Sequence, residues 1–137
     1  MGFGVMYRHD VAVAAADIDH MGNVNNAVYL RWVQDAVVAY WQHTAPAEEV
    51  ANHLWVALNH NISYRAPAFL EDDVVASVVA ESVQGARAFF TTMFKRGEQV
   101  IAEVKSTWCC IDVATMRPAR LARDVVSLFL PAVPNAS

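Results

Sequence analysis

The stretch ADIDHMGNVNNAVYLRW, residues 16–32, sets two acids one residue apart, a lone glycine and three asparagines ahead of an apolar run. Asp, Asn and Gly in such density favour turns and helix starts over a regular element. From Asn26 onward the pattern changes. Apolar residues stand at 29, 30, 33, 36, 37, 40 and 41, the spacing of one wide helical face. A largely buried helix is predicted over Asn26–His43, finished before Pro46.

Outward from that helix the text reads as strand. Val5 to Ala15 alternates, with Val5, Tyr7, Val11 and Val13 on one face and Arg8 and Asp10 on the other. A loop is expected around PAEEVANH (46–53), followed by a strand that puts Val56, Leu58, His60, Ile62 and Tyr64 on one side. DDVVASVVAES and ARAFFTTMF flank Gln84-Gly85, a hairpin signal, and Gly97 marks a further turn. Val100, Ala102, Val104 and Trp108 then alternate with Glu103, Lys105 and Thr107, and LARDVVSLFL closes the pattern as a short amphipathic helix. One strand, one long helix and four strands in succession predict an α+β layer: an antiparallel sheet with its helix on one face. Such a sheet leaves an edge uncovered, so self-association is expected.

Composition narrows the function classes. The 137 residues suffice for one domain, and 55% are hydrophobic against 18% charged, far from a disordered balance. A net charge of −4 argues against a general nucleic-acid surface. Mean hydropathy is high, at +0.23. The longest apolar candidate, Ala27–Ala45, is nevertheless interrupted by Arg31, Gln34 and Asp35, so no membrane span is expected. The opening MGFGVMYRHD lacks the pattern of a secretory signal, and Met6 stands where a myristoylation signal needs Ser or Thr. Cys109 and Cys110 are adjacent, which suits free thiols in a reducing cytoplasm.

Two readings of the opening stretch fit its residues. Asp and Asn before a helix are commonly caps. Equally, amides at a helix head can polarise a carbonyl, Gly22 permits a backbone that side chains resist, and Asp19 supplies a carboxylate base or nucleophile. That second set of parts suits hydrolysis of an activated acyl group.

Three separated motifs favour the second reading. DIDHMGNVNNAVYLRW, ISYRAPAFLEDDVV and STWCCIDVATMRPARL occur in the order, and with the key residues, of the hot-dog-fold acyl-CoA thioesterases of the 4-hydroxybenzoyl-CoA thioesterase type, which the chain resembles from Tyr7 to Leu121. The resemblance implies a sheet wrapped around one long helix, protomers pairing their sheets, and acyl-CoA hydrolysis with no metal or other cofactor. It implies that Asp19 is the catalytic carboxylate, that the Asn26 backbone N–H holds the thioester oxygen, and that Gly22 is the family glycine. Asn25 would orient the loop or water, and Tyr29 would line the acyl pocket. Asn23 stands where many relatives carry His, so no histidine base is assigned. The implied partners are an acyl-CoA substrate and a second copy in a homodimer, with a homotetramer as the larger alternative; nucleic acid and membrane are not expected.

Other residues receive plainer readings. Asp17 reads as a turn or cap residue and His60 as a satisfied core histidine. His9, His43 and His53 lack paired metal-ligand spacing. Lys95 and Arg96 beside Gly97, and Arg65, are candidates for CoA phosphates, each with an exposed structural role as the alternative. A hot-dog dehydratase and a non-catalytic acyl-thioester binding module are the rival functions. The dehydratase would need a catalytic histidine motif that the sequence does not display.

Overall fold

The computed structural model describes residues 6–130. Strand β1 (Tyr7–Val11) leads through a 3-10 turn (Ala15–Asp17) and a loop to helix α1 (Val28–Thr44). A short helix α2 (Ala47–Asn52) precedes β2 (His53–Tyr64), β3 (Val74–Gln84), β4 (Arg87–Arg96) and β5 (Gln99–Asp112), and α3 (Arg123–Val126) follows. All strand pairs are antiparallel, in the order β1-β3-β4-β5-β2. The expected α+β layer is therefore the fold found, a five-stranded hot-dog sheet carrying one long helix.

The helix forms where its apolar spacing predicted, with seven buried residues: Tyr29, Trp32, Val33, Ala36, Val37, Tyr40 and Trp41. They join one buried cluster with the inward rows of the sheet, among them Ala76, Val78, Ala80, Phe90, Phe94, Ala102, Val104 and Trp108. Edge-on aromatic contacts link the layers: Tyr29 to Phe94 at 5.3 Å and Tyr40 to Phe90 at 6.2 Å between centroids. The hairpins turn at Gly85 and Gly97 as the sequence indicated.

Three expectations need correction. The helix begins at Val28 rather than Asn26, because Asn25 and Asn26 are held in the turn before it. The segment after Pro46 is a helical turn and a half, α2, and not a loop. The strict alternation read into β2 breaks at a bulge between Ala57 and Asn59. One extra residue reverses the faces. His60 and Ile62 thus point inward with Trp55, while Leu54, Val56 and Leu58 are exposed. Val5, read as the start of β1, lies outside the described residues.

The reversal leaves β2 at the sheet edge with aliphatic side chains in solvent. Cys110 is buried and Cys109 faces the other way; burial, ahead of nearby negative groups, pushes the Cys110 thiol up to about 12. Among the described residues no helix is long and apolar enough to cross a membrane.

Phe94 is fully buried where the helix head meets β4, in ring contact with both Tyr29 and Trp32. Phe94→Ala is expected to cost about 3–5 kcal/mol of unfolding free energy in a urea titration. A loss below about 1 kcal/mol would contradict this packing.

Candidate active site

The loop between the 3-10 turn and α1 folds back on itself. Asp19 N–H donates to Asn23 O at 2.9 Å and Asn25 N–H to Asp17 O at 2.8 Å, so Ile18 and Val24 face each other across a short antiparallel bridge. Gly22 lies at its tip with φ +87°, a conformation side-chain-bearing residues resist, and open space surrounds its α-carbon. The backbone demand, and not a close approach within the protomer, accounts for the glycine.

Asp17 anchors the loop from beneath. It is 3% exposed, and its Oδ1 accepts from Arg31 Nη2 at 2.8 Å while Oδ2 accepts from the Ala14 N–H at 2.9 Å. Burial would raise its pKa, but the Arg31 hydrogen bond and the Ala14 amide outweigh it and hold the carboxyl below its ordinary value. The turn residue expected at this position is thus a buried ion-pair partner of the helix.

The helix head is largely self-satisfied. Asn25 Oδ1 accepts from Ala27 N–H at 2.9 Å, and Asn25 O accepts from Val28 N–H at 3.0 Å. Tyr29 and Leu30 donate to Asn26 O and Ala27 O, while Val24 donates to Ala68 O on the facing loop. From Val24 to Leu30, among the described residues, Asn26 alone keeps an N–H with no protein acceptor. The array of free amides anticipated at the helix start reduces to one.

Asn26 opens onto a cleft of about 250 Å³ lined by Asn23, Val24, Tyr29 and the segment Tyr64–Ala68. Asn23, Asn26, Tyr29 and Arg65 are therefore brought together. Tyr29 is 2% exposed, and burial, ahead of neighbouring Tyr64, pushes its phenol up to about 12. Arg65 stands at the rim, about half exposed, with Nη2 3.1 Å from Glu103 Oε1.

The other candidates lie outside that lining. Asp19 is half-buried, pairs across the loop with cleft residue Asn23, and accepts the Met21 N–H on Oδ1 at 2.9 Å. Asn25 acts on the loop itself. Lys95 lies in β4 opposite Val100. Arg96 is spent on the cleft wall: Nη1 donates to Pro67 O at 3.0 Å and Asp72 Oδ2 at 2.7 Å, and Nη2 to Gln99 Oε1 at 2.7 Å. Three protein acceptors on its two terminal nitrogens make its guanidinium a brace of the cleft wall rather than a free phosphate contact.

Sequence reasoning passed over Tyr64, whose Oη donates to Asn26 O at 2.9 Å across 38 residues. Its place in the second motif was the available signal. His60, read as satisfied, packs edge-on to Trp108 at 5.6 Å, yet its buried Nδ1 has no partner among the described residues. Burial lowers its pKa, favouring the neutral ring.

The fold is matched by known proteins. Residues 13–129 fit the family model described as the thioesterase-like superfamily. The chain belongs to the thioesterase-like superfamily. It is 28% identical over 120 residues to the long-chain acyl-CoA thioesterase FadM of Escherichia coli K12, covering 84% of this chain and 90% of the relative. Against the acyl-CoA thioester hydrolase YbgC of Escherichia coli O6:H1 it is 27% identical over 131 residues, covering 90% and 96%. A Thermus thermophilus thioesterase crystallised with coenzyme A and Zn has the same fold, with a TM-score of 0.77 and 24% identity over 89% of this chain and 90% of that one.

The ion pair beneath the loop has a pH signature. A depressed Asp17 pKa contributes stability that is present above 3.8, the ordinary value, and lost as pH falls through the folded-state pKa. Asp17→Asn is expected to lower the thermal midpoint at pH 7. The gap from the unmodified protein should close below 3.8, as followed by circular dichroism melts. A gap independent of pH would remove the ionised pair from the account.

Proposed function

We propose that this protein hydrolyses acyl-CoA thioesters to the free acid and CoA. Within the superfamily, its three motifs favour the 4-hydroxybenzoyl-CoA thioesterase type. The observation that carries the site is the Asn26 N–H, the one unpaired amide between residues 24 and 30 among those described, on a residue lining a cleft. A thioester oxygen resting there gains a hydrogen bond as negative charge develops on it during attack.

Asp19 is the proposed base or nucleophile. As a base it takes a proton from water, hydroxide adds to the carbonyl carbon, the C–S bond breaks, and the CoA thiolate leaves to be protonated. As a nucleophile its carboxylate oxygen adds to the carbonyl carbon, the C–S bond breaks and the CoA thiolate leaves to be protonated. Water then cleaves the resulting acyl anhydride to the free acid and the Asp19 carboxylate. Arg65 at the rim is the proposed phosphate contact, joined by Lys95 further along the surface; Asn23 and Tyr29 line the acyl end.

The active unit is proposed to be at least a homodimer, its site completed between protomers. The unpaired β2 edge, with exposed Leu54, Val56 and Leu58, supports pairing. Light scattering should then return at least twice the monomer mass of 15.1 kDa. A fully active monomer would overturn the shared site.

One observation favours a second reading, acyl-CoA binding without turnover: within one protomer Asp19 is bonded to the Met21 amide and stands outside the cleft lining. A thiol-release screen over aliphatic and aromatic acyl-CoAs decides between them. Release by the unmodified protein, reduced at least about 100-fold in Asp19→Asn with an unchanged circular dichroism spectrum, is the expected result. Binding without release supports the second reading, and full activity in Asp19→Asn removes that carboxylate from the chemistry.

A further inference from the structure

The two walls of the cleft come from distant parts of the chain. One is the helix head, Asn23–Tyr29, and the other is the end of β2 with the segment after it, Tyr64–Ala68. A hydrogen bond to a thioester oxygen is useful only if the amide that donates it stays in place while the acyl group rests against the opposite wall. What holds the walls in register therefore matters to the rate.

Within the helix head the donor's direction is already set. Asn26 N–H shares its peptide plane with Asn25 C=O, which accepts from Val28 N–H at 3.0 Å and so faces the helix. In a trans peptide the N–H points the opposite way from the carbonyl, out of the first turn. The following peptide is pinned through Asn26 C=O, whose helical bond from Tyr29 N–H is long at 3.3 Å, whereas the bond from Tyr64 Oη is 2.9 Å. The phenol is itself held, its ring edge-on to buried Tyr29 at 5.4 Å. Burial raises the Tyr64 pKa, so the hydroxyl keeps its proton at neutral pH. A second tie, Val24 N–H to Ala68 O at 2.8 Å, lies further along the same two walls.

We infer that Tyr64 is a positioning residue for the proposed hydrolysis: its hydroxyl, bonded to Asn26 C=O, fixes the Asn26 amide relative to the opposite wall of the acyl cleft. The inference rests on the thioesterase reading above. Tyr64 donates its proton within the protein and takes no part in bond making. Its effect falls on the rate of the chemical step, because the ring belongs to the cleft wall while the hydroxyl is spent on Asn26 C=O and is not needed for ground-state contact with CoA or the acyl chain.

Tyr64→Phe removes the hydroxyl and keeps the ring. In the full-length protein, thiol-release kinetics should show kcat lowered by about 10–100-fold with KM within about threefold, and a melting temperature close to that of the unmodified protein. Replacement of Tyr64 by 4-aminophenylalanine, which returns an N–H donor at the same ring position, should recover most of the rate. In ¹H–¹⁵N spectra the Asn26 amide signal should shift in Tyr64→Phe and return in the amino variant, with the β3–β4 hairpin signals unmoved. An unchanged kcat, or a loss expressed wholly in KM, overturns the inference. If the unmodified protein releases no thiol from any acyl-CoA, the thioesterase reading fails by itself. The Asn26 signal then decides the positioning contact, and a signal indifferent to the hydroxyl overturns it too. Should Tyr64→Phe melt far below the unmodified protein, the amino variant carries the comparison: normal stability without normal kcat also counts against the inference.

Discussion

The site depends on how few amides the helix head leaves free. A helix beginning in solvent would present several N–H groups, but here Asn25 covers two of them with its side chain and its carbonyl, and the next donors turn inward on Asn26 and Ala27. Asn26 is left alone at the cleft. Concentrating the available donor at one position sets where negative charge can be stabilised, and it makes everything that fixes that turn matter: Asp17 on Arg31 from below and Tyr64 from the opposite wall.

The scaffold behind the turn is rigid for ordinary reasons. Helix α1 is held by interlocking aromatic rings, with Tyr29, Trp32 and Phe94 mutually in contact at the site end and Trp41 against both Trp55 and Phe129 at the other. Alanines in the facing rows, such as Ala76, Ala80 and Ala102, are fully or almost fully buried in the same cluster. Arg96 carries this rigidity to the cleft wall by joining Asp72, Pro67 and Gln99 through one planar group. Asp72 is in turn held below its ordinary pKa: burial raises it, but the Arg96 bond and the Phe69 amide outweigh that.

Much of the fold was legible because its signals are local and periodic. The spacing from Tyr29 to Trp41 specified a helix, and glycines at 85 and 97 marked two hairpins that lie where expected. Alternation failed in β2 because a bulge is a property of two strands: Leu58 is supernumerary only once β5 is alongside. The site divided in the same way. Asn23, Asn26 and Tyr29 were identified from their motif and do meet at a cleft, whereas Arg96 looked like a free cation until its acceptors, some of them from residues 67 and 72, came into view.

By itself the sequence determined the order of the strands and the long helix, the helix face and the turn at Gly22, since each is written in spacing within one stretch of chain. Its three separated motifs carried the resemblance to the superfamily. Tertiary structure alone decided that the Val24 amide pairs with Ala68, that Arg96 is taken up by Pro67 and Asp72, and that Tyr64 reaches Asn26. Those outcomes depend on hydrogen bonds between groups distant in sequence, and their geometry exists only after the sheet has closed around its helix.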